Sequence, residues 1–112
     1  MKNYILNNGK VEPCEDINKW SAWMSNANRT IIQTEREGIL VSTVFLGVDY
    51  GIDSKENPII FETMVFNDIE NNFNESFCER TATIEEAKDV HIKACKKTFK
   101  SYTKDDLFLD LL

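Results

Sequence analysis

The rhythm of apolar and polar positions changes several times along the 112-residue chain, and each change marks an element. Tyr4-Ile5-Leu6 is a short apolar run that predicts a strand. Asn7-Asn8-Gly9 follows, and Asn and Gly tolerate positive φ, so a turn and a return strand at Lys10-Val11-Glu12 are expected. Asp16 is a suitable N-cap for a helix reaching about Ser25, because Ile17, Trp20 and Met24 recur at i, i+3 and i+7 with Trp23 widening the stripe. Asn26-Ala27-Asn28 stops it. Residues 30–37, rich in Thr and Ile, predict a strand, and Gly38 turns the chain.

Residues 39–48 carry β-branched and aromatic side chains at nearly every position. Val41, Thr43 and Phe45 share one face, and Leu40, Val44, Leu46 and Val48 the other. With both faces apolar, this strand is expected to lie centrally and to be covered on both sides. Its partner is residues 59–66, where Ile59, Phe61, Thr63 and Val65 alternate with Ile60, Glu62, Met64 and Phe66. The intervening residues 49–58 are polar and too many for a tight hairpin turn, so the register stays open. A short edge strand is expected at 76–82.

Thr83-Ile84-Glu85-Glu86 has the capping-box spacing and predicts a helix to about Phe99, with Ile84, Ala87, His91, Ala94 and Thr98 on one face and Cys95 beside them. Glu85 and Glu86 at its start and Lys96, Lys97 and Lys100 at its end suit the helix dipole. Thr103 or Asp105 can cap a last helical turn. The pattern as a whole predicts an α+β fold: an antiparallel sheet of about four to five strands with two helices packed on it, in β-α-β-β-β-α order. Residues 1–100 form its single domain, and 101–112 an acidic-hydrophobic C-terminal tail.

Charge narrows the function classes. Nineteen acidic against 13 basic residues give a net charge of −6, which opposes direct nucleic-acid binding through phosphates and opposes an anionic membrane surface. It suits a protein that docks on a basic partner. No apolar run approaches the roughly 18 residues of a transmembrane span, and the first residues lack an apolar h-region, so a cytoplasmic location is expected. Three widely spaced cysteines, Cys14, Cys78 and Cys95, do not form a disulfide framework. In a reducing compartment the sequons at Asn28 and Asn74 carry no glycan.

Four groups of residues could carry chemistry. His91 and Cys95 at i and i+4 could place two zinc ligands on one helix face, with Cys78 or Cys14 as further ligands, or His91 could activate a thiol. The paired C-x-x-C element is missing, and a His and a Cys packed on the core face explain the same spacing. Glu62 is the single acidic residue in an otherwise apolar strand, so it needs a partner such as Arg29, Arg36, Arg80, Ser42 or Thr43, or else it faces a ligand. Trp20 and Trp23 are either core or an aromatic platform. Leu107, Phe108 and Leu111 in the tail either insert into a partner's groove or cover the edge of their own domain. No phosphate loop, nucleophile elbow, zinc-protease helix or calcium loop is present, so no catalytic residue, cofactor or resident metal is expected and an enzymatic role lacks a motif.

Val41-Ser42-Thr43-Val44-Phe45-Leu46-Gly47 followed by Phe61-Glu62-Thr63-Met64-Val65-Phe66 resembles the core of a family of small uncharacterised proteins of phages and prophages. The resemblance extends to Trp20-x-x-Trp23, Arg29, Arg80 and Thr83-x-Glu85-Glu86-Ala87 before His91. The chain departs from that pattern at Asn28 (an Asp there), at Ile84 (a Trp) and at Tyr50 (a His). That family carries no activity over to this chain. The net charge, the lack of catalytic motifs and the phage context together lead to the expectation of a phage or prophage accessory protein acting by protein binding in the bacterial cytoplasm, with a host protein as partner and inhibition of a defence component as its role. The alternative is a small-molecule or nucleotide-binding domain, or a minor enzyme, with Glu62, Thr43, Arg29 and His91 around a pocket on one sheet face. A homo-oligomer paired through edge strands is a further expectation.

Overall fold

The computed structural model describes residues 2–51, 58–67 and 72–111, the side chains of 72–76 excepted. Strands β1 (Tyr4–Asn7) and β2 (Lys10–Pro13) form an antiparallel hairpin. Its turn residues Asn8 and Gly9 have φ of 51° and 79°, the left-handed conformations a two-residue hairpin turn requires. Helix α1 (Ile17–Asn26) starts where Asp16 accepts from the backbone N–H groups of Asn18 and Lys19. Strands β3 (Thr30–Arg36), β4 (Ile39–Phe45), β5 (Phe61–Asn67) and β6 (Asn72–Thr81) then form an antiparallel sheet in the order β3-β4-β5-β6. The β3–β4 turn repeats the left-handed pair with Glu37 and Gly38 at φ 53° and 80°.

Helix α2 (Ile84–Thr98) begins with Thr83 accepting from the Glu86 N–H, as the capping box dictates. A third helix, α3 (Lys104–Leu111), follows; the Thr103 N–H and hydroxyl both donate to the Asp106 carboxylate at 2.8 and 3.2 Å, which fixes its first turn. The expected α+β architecture is therefore present, and among the described residues it comprises a four-stranded antiparallel sheet plus a two-stranded one with three helices. β6 is longer than the expected 76–82 strand, and its pairing with β5 contains register shifts near Phe66 and Asn67.

The core lies between one sheet face and the helices. Register pairs Val41 with Val65, Thr43 with Thr63 and Phe45 with Phe61, so the strand period of two puts all six on the same face. All six are buried. Phe45 meets Phe61 at 5.6 Å between centroids and receives the edge of Trp23 at 5.7 Å. Ile60, immediately before β5, is buried with this group rather than lying across the sheet with Met64, as strict alternation would have it. Its N–H donates to the Thr81 carbonyl and its carbonyl accepts from the Leu46 N–H, which anchors it at the sheet's end. Gly47 completes the junction with α1: φ is +76°, a Cβ would meet the Met24 sulfur at 2.6 Å, and its carbonyl accepts from the Trp20 indole at 3.0 Å.

Cover on both sides of β4 was expected and is not what packs. The described helices all lie on the Val41–Thr43–Phe45 face, while Leu40, Val44, Met64 and Phe66 on the opposite face are half-buried. Among the described residues no helix is long and apolar enough to cross a membrane.

Candidate functional site

Three threonines interrupt the apolar centre of the inward sheet face. Thr34 on β3, Thr43 on β4 and Thr63 on β5 point into the core, each at most 2% exposed. An unpaired buried hydroxyl costs on the order of 1–3 kcal/mol, so three of them need partners. Helix α2 supplies the central one. His91 is fully buried, with Nδ1 2.8 Å from Thr43 Oγ1 and Nε2 2.9 Å from Thr34 Oγ1. Thr43 Oγ1 lies 2.7 Å from Thr63 Oγ1. At the other end Thr34 donates a short hydrogen bond to Oδ2 of Asp110 on α3, and the Tyr102 hydroxyl donates to the same oxygen at 2.9 Å.

A carboxylate at Asp110 orders these bonds through the donor and acceptor capacity of each group. A carboxylate only accepts, so Thr34 spends its one hydroxyl hydrogen on Asp110. Thr34 can then meet His91 Nε2 only as an acceptor, so Nε2 carries the ring proton. Nδ1 is left with a lone pair and accepts from Thr43, which in turn accepts from Thr63. Six side chains from three strands, α2, α3 and the residue Tyr102 thus form one directed chain ending on Asp110, and no buried side-chain N or O among the described residues lacks a partner.

Burial lowers the His91 pKa to about 4, with the charge of Asp110 acting weakly the other way, so the ring is neutral at physiological pH. Cys95, one helical turn on, is buried beside Thr34 and Tyr102, and burial pushes its thiol up to about 11. That thiol is not an activated nucleophile. Burial likewise raises the Tyr102 hydroxyl. Among the described residues no group of three or more His, Cys, Asp and Glu side chains is placed to hold a metal ion. The arrangement is chemically complete in itself: it ties three strands and two helices together.

The other residues singled out in the sequence are spread over the molecule. Glu62 lies on the opposite sheet face from Thr43, paired across the strands with Arg80 at 2.8 Å. The Arg80 guanidinium stacks over Tyr50 at 4.8 Å from the ring centroid, and its hydrogen bond to Glu62 holds its pKa above the ordinary arginine value. Arg29 donates to the Phe45 carbonyl at 3.4 Å. Trp23 packs in the core against Phe45, and Leu107 is buried in the core under α3. Phe108 and Leu111 on the same helix are exposed. Glu62, Thr43, Arg29 and His91 therefore do not surround one pocket. Two surface recesses, of about 340 Å³ beside Tyr4 and Cys14 and about 510 Å³ beside Arg36 and Phe99, are lined by none of the four.

Sequence reasoning placed His91 and Thr43 among the candidates but missed Thr34, Thr63, Asp110 and Tyr102 as their companions. One signal was available: Thr34, Thr43 and Thr63 each sit at an inward position of an alternating strand. The pairing with α3 left no such trace. In comparisons with protein-family models, curated proteins and solved structures, nothing matches this chain.

Proposed function

We propose that this chain is a small phage or prophage accessory protein that acts by binding a host protein, and that the partner presents a basic surface of the kind found on nucleic-acid-handling defence components. One observation carries the binding reading. The outward side of α3 exposes Phe108 and Leu109 at 67% and 68%, with Leu111 at 39% and the carboxylate of Asp105 beside them. An apolar ridge with an acidic flank fits a groove rimmed by Lys and Arg. The net charge of −6 steers the chain toward such a surface. The phage context rests on the sequence resemblance.

The test compares affinity capture from bacterial host lysate with the wild type, with Phe108→Ala/Leu109→Ala, and with Ile17→Ala, which removes another exposed apolar side chain away from α3. A protein retained by the wild type and by Ile17→Ala, but lost with the double variant and in high salt, supports the reading. Identical capture by all three overturns it.

A further inference from the structure

Helix α3 is attached by few contacts. It has eight residues, too few to be stable alone in water. Leu107 is its buried apolar anchor, Arg36 pairs with Asp106 at 3.4 Å, and Asp110 receives Thr34 and Tyr102. The connection from α2 passes through Ser101 at φ 63°, a left-handed conformation that a non-glycine residue adopts only with strain. These features make α3 an element expected to open ahead of the sheet and α2.

Opening would reach the centre of the fold through the directed chain. With Asp110 in place, the Thr34 hydrogen is committed outward and Nε2 must carry the ring proton. With Asp110 gone, the Thr34 hydroxyl is free to turn and donate inward to Nε2. We propose that docking of α3 and the tautomer of His91 form a single two-state switch, in which the docked helix holds the proton on Nε2 and release of the helix lets it populate Nδ1. The ring keeps one N–H throughout. As α3 lifts, Nε2 gives its proton to entering water and Nδ1 takes one from water, while the three threonine hydroxyls rotate without ionising. The charged groups facing this region are Asp110 and Asp106 from α3 and Arg36 from β3, with the Glu79–Lys93 pair, 3.2 Å apart, joining β6 to α2. With α3 docked the ring is neutral at pH 7, as its burial requires.

Nitrogen-15 correlation spectra of the His91 ring at pH 7 test this directly, since protonated and unprotonated ring nitrogens resonate far apart. The wild type is expected to show the Nε2–H form alone. Asp110→Ala is expected to show Nδ1–H signal together with at least tenfold faster amide exchange in α3, and unchanged exchange in α2. Asp110→Asn provides the milder version: its NH₂ can donate to Thr34 Oγ1, and Nδ1–H again appears. A wild-type ring protonated on Nδ1 overturns the proposal, even if neither variant folds. So does a ring that stays Nε2–H in a variant whose α3 amides exchange faster.

Discussion

A large part of the stability this fold loses in acid should come from one buried residue. His91 is neutral in the folded protein, with its pKa lowered from 6.5 to about 4, chiefly because burial penalises the charged ring. Between these values the unfolded chain binds a proton that the folded chain does not. Stability from this group is therefore fully present above about pH 6.5 and is lost as pH falls toward 4. The difference is 6.5 − 4 = 2.5 pH units. At about 1.4 kcal/mol per unit the loss is about 3 kcal/mol. A domain of this size has roughly 5–15 kcal/mol in total, so the loss is a large share.

The assay is urea unfolding at intervals from pH 7 to 4.5, on the wild type and on His91→Gln, which cannot titrate but can still donate and accept. Carboxylates titrate in both proteins, so the difference between the two curves isolates the histidine. The variant should be the less stable at pH 7, and the gap should narrow steadily as pH falls. A gap that stays constant across the range would refute the reasoning, because it would mean that His91 does not differ in proton affinity between the folded and unfolded states.

Thr43→Val keeps the side-chain shape but leaves His91 Nδ1 without a donor and Thr63 without its acceptor; it should cost about 1–3 kcal/mol in the same unfolding assay at pH 7. Glu62→Gln should cost no more than about 1 kcal/mol and its effect should shrink in high salt, because Arg80 is half-exposed and the pair is screened. Under native conditions at pH 7.5 an alkylating reagent should modify exposed Cys78 and spare Cys95, whose thiol is buried and fully protonated, and peptide mass spectrometry reads both sites.

How far the sequence reached follows from how local each feature is. Asp16 and Thr83 cap helices through atoms two and three residues away, so their spacing alone announces α1 and α2. The turns at Asn8-Gly9 and Glu37-Gly38 depend on two residues' φ angles, and the glycine in each declares it. The alternation in residues 39–45 and 61–66 set which side chains share a face, because successive Cβ atoms in a strand point to opposite sides. Glu62 stood out by the same logic as a carboxylate needing a partner. Alternation could not say which arginine would answer it, nor that the helices would cover only one of β4's two apolar faces.

The sequence by itself determined most of the elements, their order through α2, and that Thr43 shares a face with Val41 and Phe45 and Thr63 one with Phe61 and Val65, since these follow from interactions between near neighbours along the chain. Only the tertiary structure decided what those hydroxyls are for. His91 lies 57 residues from Thr34 and 48 from Thr43, and Asp110 lies 76 from Thr34. Contacts at that separation depend on strand register and on where two helices dock, which no local period encodes. The directed chain, the neutral ring at its centre and the helix it holds in place came into view only once the sheet was folded beneath them.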